Sequence, residues 1–168
     1  MVLAEAVRLL TERPPAGGGE SLVAVFAGEG EDRARIAEML GPNARCPGPV
    51  LGDDLARLYA SADLLAHPSE IESFGNTVSE GMAAGLPALV CARSAARRQI
   101  VEGVTGFAVG PAPAEWAAAI RALLHDPARR AAIGRAARAA MEIRFTDWRS
   151  VVTEKFLPVW RKAAGWPG

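Results

Sequence analysis

Two glutamates, Glu72 and Glu80, stand eight positions apart, with a glycine and an asparagine between them at Gly75 and Asn76. A helix that begins near this Gly-Asn pair would leave its first peptide N–H groups without partners, at the positive end of the helix dipole. The N–H groups of residues 74–77 would then form a neutral cradle for an anion, and a phosphate group fits such a cradle. The sequence therefore predicts a phosphate site flanked by two carboxylates.

Glu80 has the position expected of a ribose-binding residue. It lies about four residues into the predicted helix, roughly 6 Å along the axis, and its side chain leans back toward the N-terminus. A carboxylate accepts two hydrogen bonds from a vicinal diol, so Glu80 would bind the ribose of a nucleotide while Glu72 faces the group beyond the phosphates. The alternative is a solvated helix face, because Val78 and Met82 mark the buried stripe of this helix.

A strand that ends just before these residues would place them at the edge of a sheet. Four continuous apolar runs predict buried strands, and stretches with helical spacing separate them. This alternation predicts an α/β fold, a single Rossmann-like domain whose parallel sheet has helices on both faces. Ligands gather at the carboxyl ends of parallel strands, which places the site in the loop after the second run. The predicted strands are Leu22–Ala27, Leu64–Ala66, Ala88–Cys91 and Phe107–Val109.

The predicted helices are Val2–Leu10, Asp32–Leu40, Leu55–Ala60, Asn76–Ala84, Glu115–Leu124, Pro127–Ile143 and Trp148–Ala163. The last three form a helical C-terminal tail, in which Trp116, Trp148 and Trp160 are the predicted apolar anchors. We therefore expect one domain over residues 1–168, with an α/β core at about 1–110 and the tail at 111–168.

Composition excludes several classes of partner. The chain has 168 residues with 19 basic and 19 acidic side chains, and this balance argues against nucleic acid as a ligand. The apolar stretch from Ala83 to Ala92 is too short to cross a bilayer. Cys46 and Cys91 have no Cys or His at metal-ligand spacing. We expect reduced thiols in a cytoplasmic protein, rather than a zinc site or a disulfide.

The segment from Pro68 to Pro87 resembles the carboxyl-terminal domain of the retaining, nucleotide-sugar-dependent glycosyltransferases of family four, which have two facing Rossmann-like domains (the GT-B fold). The resemblance rests on the spacing from Glu72 to Glu80 and extends over about residues 22–109, and more loosely to Trp160. The other matching residues are Leu58 to Asp63, Pro68-Ser69, Ser73-Phe74-Gly75, Met82-Ala83, Gly85-Leu86-Pro87, and Gly103 to Phe107.

The resemblance implies roles for individual residues. Glu80 would hold the ribose, and Glu72 would contact the donor sugar as the catalytic residue. No metal or other cofactor is implied, because protein cations and amides stabilise the leaving diphosphate in that family. The resemblance implies that the diphosphate or hexose meets the backbone of Ser73, Phe74, Gly75, Asn76 and Thr77, that Gly28 and Gly30 border the phosphates, and that Pro49 and Val50 lie near the base.

Some features depart from the family pattern. Family members bind the diphosphate with an Arg and a Lys early in this domain, whereas this sequence has no Lys before Lys155. The amino-terminal domain that presents the acceptor is also absent. The segment from Ala95 to Gln99 replaces a Gly-rich turn that ends in Glu, and its Arg97 and Arg98 are candidate substitute cations. Gly81 replaces the usual Ala, which weakens a helix by about 1 kcal/mol.

We therefore expect a donor-binding domain that binds a nucleoside diphosphate sugar of UDP or GDP type, and that turns over little without its N-terminal domain or a separate subunit. The alternative is a degenerate, non-catalytic interaction module or split subunit with the same fold. A phosphate-sugar epimerase of this fold would need different acid and base residues. Four arginines form either the solvated side of a helix or a peripheral contact with an anionic membrane or a partner: Arg129, Arg130, Arg135 and Arg138.

Overall fold

Strands and helices alternate along the computed structural model, which describes residues 1–12, 22–144 and 151–164. The strands are β1 (Ala24–Ala27), β2 (Ala44–Gly48), β3 (Leu65–His67), β4 (Ala88–Cys91) and β5 (Gly106–Val109). The α-helices are α1 (Val2–Glu12), α2 (Arg33–Leu40), α3 (Gly52–Ser61), α4 (Asn76–Ala83), α5 (Pro113–Leu124), α6 (Pro127–Arg144) and α7 (Leu157–Ala164). Short 3-10 helices cover Gly41–Asn43 and Ala95–Gln99, and a π-helix covers Val151–Phe156.

Every strand pair is parallel, as predicted, but the strands form two separate ladders. In the first, β1 pairs with β2; in the second, β4 lies between β3 and β5. All four residues of β4 are buried. Because this strand is covered on both faces, its sequence is a continuous apolar run instead of an alternating one.

Helices cover both faces of β4. Leu89 and Cys91 point into one cluster, formed with α1 and α5, where Trp116 is 1% exposed. Ala88 and Val90 point into the opposite cluster, formed with α4 and α6. The predicted Rossmann-like architecture is therefore confirmed, and α4 is held directly against the central strand. The apolar residues of α4 and α6 in the second cluster are Val78, Met82, Ala137 and Met141.

Gly81 allows α4 to lie close to β3. A Cβ atom at this position would be 2.6 Å from Cδ2 of Leu65, well inside van der Waals contact. The glycine that weakens the helix on its own thus leaves room for the side chain of Leu65, and a larger residue would require that side chain to move.

Two predictions about the elements are wrong. The strand β2 was not predicted, because Arg45 and Pro47 interrupt its apolar pattern and are exposed at one side of a two-stranded ladder. Trp160 is not a buried anchor, since 56% of it is exposed. Trp148 lies outside the described residues. Within the described ranges, no helix is long and apolar enough to span a membrane.

Candidate functional site

The turn from β3 into α4 has a backbone shape that only glycine adopts easily. Gly75 is buried and has a φ of 84° and a ψ of 51°, in the left-handed region. A Cβ atom here would be 2.8 Å from Cβ of Ala96. The carbonyl of Gly75 then accepts from the N–H groups of Val78, at 3.0 Å, and Ser79, at 3.1 Å, which starts the helix. Packing against residues 95–99 therefore fixes where α4 begins.

Of the four N–H groups in the predicted cradle, two bind the carboxylate of Glu72 and two have no acceptor within the described residues. The N–H of Phe74 donates to Oε1 of Glu72 at 3.3 Å. Hydrogen bonds from the backbone of Gly75 and then Phe74 lower the pKa of Glu72, which is thus held as a carboxylate. The N–H groups of Asn76 and Thr77 have no acceptor in the described part of the chain. The helix start therefore already binds one carboxylate, that of Glu72, while the N–H groups of Asn76 and Thr77 are not used within the described residues.

His67 lies at the end of β3, beside Glu72. Its Nε2 atom is 3.4 Å from Oε2 of Glu72, and the two side chains are 14% and 25% exposed. This nitrogen is buried and makes no hydrogen bond within the described residues. The charge of His67 also contributes to the lowered pKa of Glu72. His67 is thus in direct contact with the first of the two glutamates.

Glu80 lies on the exposed side of α4, where the hydroxyl of Tyr59 from α3 donates to its Oε2 atom at 3.1 Å. Burial and the hydrogen bond to Glu80 raise the pKa of Tyr59 to about 12, so the phenol remains a donor at neutral pH. The tyrosine engages one carboxylate oxygen and leaves the other for a second donor. Sequence reasoning missed Tyr59, although its position on the half-buried side of the helix before β3 is a signal that could have found it.

A cleft of about 430 Å³ lies between α4 and α6. Pockets for small molecules usually have 300–1,000 Å³, so the cleft can accept part of a nucleotide. Arg138 lines this cleft together with Glu80, and its guanidinium pairs with Glu142 at 3.0 Å. The lining residues are Phe74, Asn76, Ser79, Glu80, Ala83, Arg138, Met141 and Glu142.

The other predicted site residues lie at the end of the first ladder. The N–H of Gly28 donates to the carbonyl of Gly48 at 2.8 Å, so the turn at residues 28–30 adjoins residues 49–50. Within the described residues, no hydrogen bond or ion pair joins either segment directly to residues 72–80. The connection runs through α3, which follows residues 49–50 and reaches Glu80 through Tyr59. The roles of Gly28, Gly30, Pro49 and Val50 remain predictions.

The segment after β4 contributes a second residue that sequence reasoning missed. Gln99 is buried, and its side chain contacts Phe74, Gly75 and Ser79. Arg97 and Arg98 of the same segment are exposed and form no ion pair within the described ranges, and their role as substitute cations remains a prediction. No cluster of three or more His, Cys, Asp and Glu side chains in the described residues could hold a metal ion.

Comparison with known proteins identifies relatives over most of the chain. A model of the family described as glycosyl transferases group 1 matches residues 2–140. Sulfoquinovosyl transferase SQD2 of Arabidopsis thaliana is 38% identical over 135 residues, which cover 77% of this chain and 26% of the plant protein. D-inositol 3-phosphate glycosyltransferase of Kineococcus radiotolerans is 37% identical over 128 residues, which cover 71% of this chain and 29% of that protein.

A solved structure has the same fold over nearly the whole chain. Anabaena HepE in complex with UDP-glucose matches with a TM-score of 0.75 and 26% sequence identity, over 97% of this chain and 44% of that one. The chain therefore spans less than half the length of each of these three proteins.

Proposed function

The chain belongs to the glycosyl transferases group 1 family and has the Rossmann-like fold of a GT-B domain, and we propose that it is the donor-binding part of a retaining, family-four glycosyltransferase. Its ligand is a nucleoside diphosphate sugar, bound at the start of α4. The acceptor is presented by a domain or subunit other than this donor-binding part. The chain alone therefore binds the donor and transfers sugar slowly.

One observation carries the proposal. The N–H groups of Asn76 and Thr77, which have no acceptor within the described residues, and the carboxylate of Glu80 belong to one helix of two turns, and Asn76 and Glu80 line one cleft. Amide groups at a helix start bind phosphate without a full positive charge. A carboxylate one turn further along the helix binds the ribose diol. The two groups together match the phosphate and ribose parts of one nucleotide.

The lowered pKa of Glu72 supports a role for this residue as a carboxylate. As a carboxylate at neutral pH, it accepts hydrogen bonds from sugar hydroxyls and favours positive charge on the sugar ring, but it does not act as a proton donor. Charge that develops on the leaving phosphate in the transition state is met by the amide groups of α4. No step requires a metal ion. The product keeps the anomeric configuration of the donor, as the family-four resemblance implies.

A specific observation favours the alternative, a non-catalytic module that retains the fold. The chain has no Lys before Lys155, and in this structure the carboxylate of Glu72 accepts from the cradle amides that a phosphate would use. A module of this kind would bind a partner protein and leave nucleotides unbound.

Calorimetry with UDP and GDP separates the two functions. Wild-type protein is expected to bind at least one of them, and Glu80→Ala is expected to weaken binding about tenfold or more, because a hydrogen bond to a charged group is lost. Glu38→Ala on α2 is the matched control, since it removes an equally exposed carboxylate far along the chain from α4. Negligible heats from wild-type protein with both nucleotides would reject donor binding and favour the alternative.

A further inference from the structure

We infer that Gln99 is a positioning residue, which holds the first peptide groups of α4 in the orientation that receives the phosphates of the donor. The inference rests on the proposed function. It concerns a side chain that lies behind the cradle and touches neither predicted carboxylate. Gln99 acts on the cradle through the hydrogen bonds of its carboxamide.

Gln99 is 6% exposed, and its carboxamide is fully engaged. Nε2 donates to the carbonyl of Gly75 at 2.9 Å and to the carbonyl of Phe74. Oε1 accepts from the hydroxyl of Ser79. Because carbonyl oxygens can only accept, the nitrogen must face the turn. The side chain therefore joins the turn before α4 to the first turn of the helix itself.

These bonds determine where the amide groups of the turn point. In a trans peptide, the C=O of one residue and the N–H of the next point in opposite directions. Fixing the carbonyls of Phe74 and Gly75 toward Gln99 therefore turns the N–H groups of Gly75 and Asn76 away from it. The first of these reaches Glu72, and the second has no acceptor in the described residues. The orientation of the cradle is thus a direct consequence of the Gln99 contacts.

The surrounding residues keep Gln99 in place. A Cβ atom on Gly75 would be 2.8 Å from Nε2 of Gln99, so only glycine leaves room for this approach. On the other side, the hydroxyl of Ser94 accepts from the N–H of Ala96 at 3.3 Å and caps the short helix that carries Gln99. Gly75 and the capped short helix therefore both allow the carboxamide of Gln99 to pack against the turn.

Two substitutions separate hydrogen bonding from simple filling of space. Gln99→Met keeps a similar volume but loses both the donor and the acceptor. Gln99→Glu keeps the acceptor and places a negative charge against two carbonyl oxygens. The matched control is Thr105→Val. Thr105 is also buried, and its hydroxyl also binds the backbone, accepting from the N–H of Val101 at 2.8 Å, but this contact lies outside the turn before α4.

The deciding experiment measures the affinity of each variant for UDP and for uridine. The cradle acts on phosphate, so both Gln99 variants are expected to lose about tenfold or more in UDP affinity and less than about twofold in uridine affinity. Thr105→Val is expected to leave the ratio of the two affinities unchanged. Equal losses for UDP and uridine, or no loss in either Gln99 variant, would overturn the inference. If Gln99→Glu does not fold, Gln99→Met decides.

A second readout without ligand separates this inference from the proposed function. The N–H groups of Val78 and Ser79 donate to the carbonyl of Gly75, so their hydrogen exchange is expected to be faster in both Gln99 variants than in Thr105→Val. Unchanged exchange would overturn the role of Gln99 even if UDP binds. Absence of UDP binding by wild-type protein, with faster exchange in the variants, would reject the function and leave the positioning contact intact.

Discussion

The turn after β1 and the turn after β3 both lie at the carboxyl ends of parallel strands, yet the chain constrains them very differently. At the second turn, Gly75 is buried, and a Cβ atom there would collide with Ala96 and Gln99. At the first turn, Gly28 also has a positive φ, of 124°, but no atom of the described residues, its two chain neighbours apart, lies within 4 Å of the place a Cβ would take, and the same holds for Gly30. The predicted phosphate and ribose side at the start of α4 is thus fixed by internal packing, whereas the turn at residues 28–30, which is also predicted to border the phosphates, is open.

This difference indicates how binding energy would be used. A preorganised group loses little conformational entropy when it binds a ligand. The start of α4 fulfils this condition through Gln99 and the packing of Val78 and Met82. The turn at residues 28–30 would be ordered by the ligand itself. We therefore expect the contacts at the start of α4 to supply most of the affinity for the donor, and the turn at residues 28–30 to supply less.

The largest expected effect is on stability, at the two glycines. Gly75→Ala adds both backbone strain and a steric collision, and we expect a loss of about 3 kcal/mol in the free energy of unfolding. Gly28→Ala adds backbone strain without the collision, and we expect about 1 kcal/mol. Urea denaturation of both variants measures the difference. Equal losses would show that the two turns are constrained alike.

A smaller effect concerns Tyr59, which links α3 to α4. Because its pKa is raised from 10.0 to about 12, its contribution to stability is complete below pH 10 and is lost as the pH rises through about 12. Tyr59 is the single tyrosine of the chain, so ultraviolet absorbance follows its ionisation directly. Glu80→Ala is expected to move the midpoint below 12 but not to 10, since burial is the largest cause of the shift. Glu38→Ala is expected to leave it in place, and an identical midpoint in Glu80→Ala would refute the contact.

The smallest expected effect comes from Glu72. Its pKa is lowered from 4.5 by backbone hydrogen bonds, so its stabilising contribution is present above pH 4.5 and disappears as the pH falls through the lower folded value. Wild-type protein is expected to be more stable than Glu72→Gln at pH 7, with the difference shrinking toward pH 3. Denaturation across this range, repeated in a His67→Gln background to remove the neighbouring titratable group, checks the prediction. A difference independent of pH would contradict it.

The sequence predicted the parts of the site that depend on local geometry. The placement of Glu80 on a helix that starts at Asn76 follows from spacing alone, and the structure has that helix. Tyr59 and Gln99 were not predicted, because their partners lie 20 to 25 residues away along the chain. In the case of Gln99 two of the partners are backbone carbonyls, which leave no trace in the side-chain pattern.

Dependence on a partner that is distant in the sequence also explains why β2 was not predicted. The apolar runs of β1 and β4 predicted strands. In contrast, β2 takes its conformation from pairing with β1, and its exposed Arg45 interrupts the apolar run that would have predicted a strand. Trp160 has the apolar character of an anchor, yet it is largely exposed. The pattern of apolar residues thus predicts elements that bury a continuous apolar surface. It fails for a strand such as β2, whose conformation depends on pairing with a neighbouring strand.

Binding of the donor phosphates at the start of α4 can be observed residue by residue, by mapping the amide chemical shifts of the ¹⁵N-labelled chain during titration with UDP. We predict the largest changes at the N–H groups of Asn76 and Thr77, with smaller changes near Glu80 and smaller still at residues 28–30. No change at these amides would contradict the account, as would changes concentrated at the second cleft, of about 290 Å³, which lies beside β5 and is lined in part by Phe107 and Arg129.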